Sequence, residues 1–319
     1  MHTSLAPHAF TVKRLALALI TLLLCGLVLA YYGAPQHFKK PLLQLNRTLA
    51  GLTAHTITTE DHTLHYLDGG SGPTLVLLHG IFAEKDHWVD FARPLTAHYR
   101  VLAPDLPGFG ESTRLPIHDY GYSMQVEKLK DFLDQMGVQK AHLAGNSLGG
   151  TVAVLFALRY PERVASVALV GAPHGLRTPQ PSEMDALIDA GKSPLVVTHP
   201  EAFEPMLDFV FAQRPLLPYP ILHAAKVDAL RNAASNTRIW NAQRNDRYLL
   251  DTRIDALKHP TLVLWGEKDR LFDVSGAAML RQRLPHAQVH LLPGVGHLPM
   301  METPKASAAQ YAEFLGGLQ

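Results

Sequence analysis

One serine between two glycines, Gly145-Asn146-Ser147-Leu148-Gly149, restricts what this chain can fold into more than any other feature. The four residues before it, Ala141-His142-Leu143-Ala144, are short and apolar enough for a buried parallel strand. Residues 150–160, GTVAVLFALRY, carry helical patterning and stop at Pro161. Strand, sharp turn and helix therefore follow in order. A hydroxyl at the tip of such a turn points out of the sheet only if its neighbours are nearly free of side chain, and glycine meets that condition. Ser71 lacks this setting: within Gly69-Gly70-Ser71-Gly72-Pro73 it reads as part of a hairpin turn.

The flanking sequence supplies the rest of a layered fold. Residues 53–59 and 63–68 read as a hairpin turned at Glu60-Asp61. Beyond it, apolar strands at 74–78, 100–103, 141–144, 166–170, 261–265 and 288–292 alternate with helices near 86–98, 123–135, 149–160, 274–283 and 304–315. The alternation predicts an α/β fold, a mostly parallel sheet flanked by helices. Residues 174–259 interrupt it with proline-rich, helix-patterned sequence too long for a loop, which predicts an inserted helical cap. Within that interval Phe203, Leu207, Val210 and Phe211 share one helical face, which either packs on the cap's own core or meets an acyl chain.

The N-terminus has a different character. Residues 15–32 form an uncharged, mostly apolar run of 18, with Lys13 and Arg14 before it and Lys39 and Lys40 after it. As a helix the run reaches about 27 Å, close to the ~30 Å hydrocarbon core and longer than the usual apolar region of a signal peptide. Residues 1–32 are expected to be an N-terminal membrane anchor. The alternative is a signal segment cleaved after Ala30, giving a secreted or periplasmic protein. Flanking positive charge is nearly balanced and leaves the orientation open. Residues 33–52, with Pro35 and Pro41, read as a linker, and residues 53–319 as the folded domain. The formal charge of +1, without a dense Lys/Arg stripe, argues against nucleic acid as a partner. Cys25, inside the apolar run, is the one cysteine, so the globular part has neither a disulfide nor a cysteine metal site.

A serine nucleophile needs a base, and the base an orienting acid, which in a strand–turn–helix setting follow in the chain order Ser, Asp/Glu, His. Asp269, in the polar turn Gly266-Glu267-Lys268-Asp269 after the apolar run 261–265, is the candidate acid, with Glu267 and Asp273 as nearby substitutes. His297, in Gly294-Val295-Gly296-His297-Leu298-Pro299, is the candidate base, because small flanking residues let its ring reach over the serine. Acyl transfer also needs N–H donors for the developing oxyanion. Leu148 supplies one at the start of its helix, and the loop His79-Gly80-Ile81-Phe82 supplies another, assigned to Ile81 with Phe82 as the rival. His79 itself is expected to hold the loop.

The whole stretch from about residue 53 to 318 resembles an α/β-hydrolase. The resemblance rests on His79-Gly80, on Pro104-Asp105-Leu106-Pro107-Gly108-Phe109-Gly110-Glu111-Ser112, on the glycine–serine turn, on Gly266-Glu267-Lys268-Asp269 and on Gly296-His297. The runs His79-Gly80-Ile81-Phe82-Ala83-Glu84-Lys85-Asp86-His87-Trp88 and Asp273-Val274-Ser275-Gly276-Ala277 are more narrowly similar to membrane-anchored monoacylglycerol lipases and related bacterial lipases. That group commonly has phenylalanine after His-Gly and methionine after the nucleophile. Ile81 and Leu148 stand there instead, which spares backbone donors and alters pocket shape. The resemblance implies a serine hydrolase of carboxylic esters, acylglycerols or similar lipid esters, working through an acyl-enzyme without cofactor or metal. Carbon–carbon bond hydrolases, amidases, perhydrolases and noncatalytic ligand-binding members of the fold are the rival readings. Ser147 argues against dehalogenases and epoxide hydrolases, which carry aspartate at that turn.

Overall fold

The computed structural model describes residues 7–58, 62–114 and 120–318, with side chains from Lys13 onward. Helices α1 (Pro7–Gly33) and α2 (Gln36–Leu49) precede strands β1 (Leu52–Thr58), β2 (Thr63–Gly69) and β3 (Thr74–Leu78). Then come α3 (Val89–Ala92), β4 (Arg100–Pro104), α4 (Tyr122–Gln135), β5 (Ala141–Ser147), α5 (Leu148–Arg159) and β6 (Val164–Pro173). Helices α6 (Glu183–Asp189), α7 (Phe203–Val210), α8 (Tyr219–Arg231) and α9 (Ala233–Arg244) fill the interval before β7 (Thr261–Gly266). The elements α10 (Ser275–Arg283), β8 (Gln288–Leu292), α11 (Pro299–Glu302) and α12 (Pro304–Gly316) complete the series.

The strands form one sheet in the order β1-β2-β4-β3-β5-β6-β7-β8. The pairs β1–β2 and β2–β4 are antiparallel and the rest parallel. Alternation along each central strand sorts its side chains into two cores. Val76, Leu78, Val167, Leu169, Val263 and Trp265 join α4 and α5 on one face. Leu75, Leu77, Ala168, Val170, Leu262 and Leu264 join Phe91 of α3 and Tyr311 and Phe314 of α12 on the other. Strands covered on both faces need no polar side, which is why β3 and β7 read as unbroken apolar runs.

Three sequence expectations meet a different structure or fall outside it. Residues 33–52 are no linker, for α2 occupies most of them. Pro35 stands at the helix's N-cap, and Pro41 is carried inside it. The helix is held to the fold from outside: Arg47 donates two hydrogen bonds to Asp86 at 2.6 and 2.5 Å, and Lys39 pairs with Asp228 of α8 at 3.0 Å. The helix expected over 86–98 is a tight 3₁₀ turn (Lys85–Trp88) followed by α3 alone. Arg93 keeps helical geometry, but Pro94 has no N–H to donate to the Asp90 carbonyl, and the regular helix stops at Ala92. The β1–β2 register runs to Thr58 opposite Thr63, while the turn at Glu60-Asp61 lies outside the described residues.

Within α1, residues 13–33 form a helix long and apolar enough to cross a membrane, with a mean hydropathy of 2.4 and no part buried by the rest of the fold. Its end meets α8, where the rings of Tyr31 and Tyr32 lie 6.4 and 5.0 Å from that of Tyr219. The apolar stripe of the 174–259 interval faces inward. Phe203 and Phe211 are buried, and Leu207 and Val210 pack against the core beneath α12. The stripe thus rests on the sheet core rather than on a core of the cap's own, and Val210 also packs on the cluster of Met184, Leu195 and Leu271.

Candidate active site

Ser147 ends β5 and caps α5 with φ 52° and ψ −117°, in the positive-φ region that costs a non-glycine residue energy. The surrounding glycines are obligatory. A Cβ on Gly145 would lie 2.3 Å from the Gly149 carbonyl carbon, and one on Gly149 would lie 2.2 Å from the Leu78 carbonyl oxygen. A Cβ on Gly80 would come within 2.8 Å of Asn146 Oδ1 and 3.3 Å of Ser147 Cβ. The end of β3 and the turn therefore touch through backbone alone, which brings the loop after β3 beside the serine.

That loop is fixed from both ends. His79 is fully buried; its Nδ1 donates to the Gly80 carbonyl at 2.7 Å and its Nε2 accepts the Leu106 N–H at 2.9 Å. Burial pushes the His79 imidazole below its ordinary pKa, consistent with this neutral tautomer. Lys85 donates from Nζ to Asp105 and Glu111, both at 2.7 Å, and from its backbone N–H to Asp105 at 2.6 Å. Gly110, with φ 51°, lies so close to Asp105 that a Cβ would sit 2.2 Å from its carboxyl carbon. The run Pro104–Ser112 noted in the sequence is thus a clamp on the loop.

Asp269 and His297 are brought together. His297 Nδ1 donates to Asp269 Oδ2 at 2.9 Å, with both side chains buried. Asp269 Oδ1 accepts the N–H groups of Leu271 and Phe272 at 2.9 and 3.1 Å. The carboxylate is held by three donors, and the proton on Nδ1 leaves the Nε2 lone pair of His297 free; that nitrogen is buried without a partner among the described residues. The two substitute acids stand elsewhere. Glu267 is exposed, and Asp273 accepts the Ser275 N–H at 2.9 Å.

Asn146 draws the histidine loop to the turn, its Nδ2 donating to the carbonyls of Val170 at 2.8 Å and His297 at 3.0 Å. Glu302 of α11 accepts the N–H groups of Gly296, Leu298, Ala212 and Gln213 at 2.9–3.2 Å. It joins the histidine loop to the end of α7. Neither residue stands out in the sequence, since Asn146 is the variable position of its motif and Glu302 sits in an unremarkable short helix.

Ser147, Leu148 and Ile81 open onto one cavity, continuous with solvent. Its wall is mostly apolar, with Met184, Leu195 and Leu271 prominent. The N–H of Leu148, first residue of α5, has no acceptor within its own helix. Phe82, the alternative to Ile81, has φ 57° and packs beside Phe109, ring centroids 6.4 Å apart. A second histidine, His174, reaches the cavity, but its Nδ1 pairs with the Tyr122 hydroxyl at 2.7 Å. Desolvation pushes its pKa down to about 4, so it stays neutral near pH 7. Sequence reasoning did not single out His174 or Tyr122.

The α/β-hydrolase fold family matches residues 73–204 and 224–304. The chain belongs to that family. Lipase 3 of Moraxella sp. (strain TA144) is similar to this α/β-hydrolase at 29% identity over 313 residues, which cover 96% of this chain and 99% of the lipase. Monoacylglycerol lipase ABHD6 of Homo sapiens is 31% identical over 287 residues, 85% of this chain and 84% of ABHD6. Among solved structures, a membrane phospholipase A described as a novel bacterial virulence factor has a TM-score of 0.86 at 39% identity, covering 96% of this chain and 99% of its own. The chain is accordingly an ester hydrolase of the α/β-hydrolase family.

Proposed function

We propose that this hydrolase cleaves carboxylic esters of lipids, acylglycerols or similar esters, through an acyl-enzyme on Ser147. His297 Nε2 takes the Ser147 proton as Oγ attacks the ester carbonyl, and the N–H groups of Ile81 and Leu148 receive the oxyanion. The same nitrogen returns the proton to the departing alkoxide, then activates the water that releases the fatty acid. Asp269 keeps Nδ1 protonated and steadies the imidazolium that forms. The single observation that carries this reading is the buried Asp269–His297 hydrogen bond with Nε2 left unpartnered, on a loop that Asn146 ties to the serine turn. The lipid character of the substrate is supported by relatives named as lipases, a monoacylglycerol lipase and a phospholipase A, and by the apolar cavity wall.

In this reading residues 1–32 remain as a single N-terminal membrane helix, residues 53–319 are the hydrolase domain, and α6–α9 form its cap. Cleavage after Ala30 would instead release the enzyme from the membrane. The test is hydrolysis of mono-, di- and triacylglycerols alongside p-nitrophenyl esters of graded chain length, each also run with Ser147→Ala protein. Serine-dependent cleavage of at least one acylglycerol is expected. Cleavage confined to amides or carbon–carbon bonds would overturn the assignment.

A further inference from the structure

From Pro215 to Ala225 the chain carries no Asp, Glu, Lys or Arg, although it runs over the surface from α7 into α8. Leu216 is fully exposed there, and Tyr219 is 38% exposed. A lone exposed leucine is ordinary on a protein surface, so its meaning depends on where it stands. This one stands on a fixed support. Pro215 and Pro218 restrict the backbone on either side, with Pro218 extended at φ −55° and ψ 138°. Upstream, Glu302 accepts the N–H groups of Ala212 and Gln213, and Arg214 pairs with Glu204 and, at 2.5 Å, with Asp208. Downstream, the Pro218 carbonyl accepts the N–H groups of Ile221 and Leu222.

The end of α1 sets the level at which this loop lies. The rings of Tyr31, Tyr32, Phe38 and Tyr219 gather there with centroids 5.0–6.4 Å apart. The apolar span of α1 ends at Gly33, so these rings fall at the depth where tyrosine favours the boundary between hydrocarbon and water. Farther along both helices, Lys39 of α2 pairs with Asp228 of α8 at 3.0 Å. Helix α8 therefore runs beside α2 away from the end of α1. Its first turn, with the loop before it, points back to the boundary.

We infer that residues 215–219 are a second membrane contact, in which Leu216 enters the bilayer that α1 spans and Tyr219 lies with Tyr32 at its boundary. The inference rests on the reading above that α1 stays in the protein as a membrane helix. The occupant is the lipid surface itself, because exposed apolar side chains run from Leu29 and Tyr32 of α1 through Tyr219 to Leu216. Apolar surface leaving water supplies the attraction, and the uncharged loop needs no anionic lipid. A loop already fixed by two prolines loses little freedom on entering lipid. Two contacts also restrict rotation about α1, which holds one side of the cap to the membrane.

The test places a fluorophore at the tip of the loop. Full-length protein carrying Ser147→Ala, which leaves the lipid intact, is combined with Leu216→Trp in neutral phosphatidylcholine vesicles brominated near the carboxyl ends of their acyl chains. Bromine quenches indole only at contact, and the native Trp88, Trp240 and Trp265 are buried. Leu216→Trp should be quenched beyond the Ser147→Ala background, equally at low and high salt, because no charge pair is involved. Active enzyme with Leu216→Asp should still float with vesicles but hydrolyse vesicle-borne ester a few-fold more slowly, at an unchanged rate on a short soluble ester. Leu216 is fully exposed, so neither substitution disturbs packing. Flotation without added quenching, or an unchanged vesicle rate in Leu216→Asp, overturns the loop contact and leaves α1 in place. Failure of the protein to float overturns the membrane-helix reading of α1 and the contact with it.

Discussion

Around Ser147, backbone contacts decide which residues are allowed. Gly145, Gly149 and Gly80 each leave no room for a Cβ, and Ser147 is held at positive φ between a strand and a helix that are both buried. Across the cavity, α9 faces few such constraints. Gly191, in the same α6–α9 interval, has φ 73° yet nothing within 4 Å of a Cβ. One wall of the cavity is dictated by backbone contacts, and the other is built from side chains of α6, α9 and the segments beside them. The first kind of wall forces short sequence motifs; the second leaves scattered residues such as Trp240, Gln243 and Arg244.

The sharpest break between the two walls is in catalysis. Ser147→Ala should lower kcat on the order of 10⁶-fold, the scale of removing a nucleophilic serine, with the thermal transition unchanged. Steady-state hydrolysis of a p-nitrophenyl ester and a melting curve measure both. Asp269→Asn should cost about 10⁴-fold by favouring the wrong imidazole tautomer, whereas Glu267→Gln stays near wild type. The reverse ranking would move the acid to Glu267.

Next comes stability. Gly149→Ala drives a methyl group toward the Leu78 carbonyl, at 2.2 Å, and should cost about 3 kcal/mol or more. Gly191→Ala meets only the positive-φ penalty of about 1 kcal/mol. Denaturant titration of the two variants side by side reads the contrast, and equal losses would break it.

These same constraints explain what could be read from the chain. Five of the six strands after the hairpin appeared as apolar runs because both faces of the sheet are covered there, while β8, at the sheet edge, is mostly exposed; the turn at Ser147 appeared because steric exclusion leaves glycine no substitute. Asp269 and His297, named from their order in the chain and their loops, meet in space. Helix α2 was illegible because it is secured by Arg47 and Lys39 reaching Asp86 and Asp228, 39 and 189 residues away, and no local pattern records such contacts. Pro35 and Pro41 pointed to a linker for the same reason. Asn146 and Glu302 act through backbone hydrogen bonds formed only after the loops close.

The smallest expected effect concerns the membrane. Under the proposed anchor role of α1, removing residues 1–32 should change hydrolysis of a short soluble ester by less than about twofold and slow turnover of vesicle-borne acylglycerol about tenfold, through loss of a high effective concentration at the membrane. Flotation with vesicles and the two rates decide it. Equal vesicle turnover by the truncated form would remove the lipid role of α1.

The central claim is that Ser147 is an activated nucleophile served by His297, and covalent labelling tests it most directly. A fluorophosphonate should add to the purified enzyme at one equivalent, with the adduct located on Ser147 by peptide mass spectrometry and its formation all but abolished in His297→Ala. Labelling at another residue, or undiminished labelling of Ser147 in His297→Ala, would contradict the account.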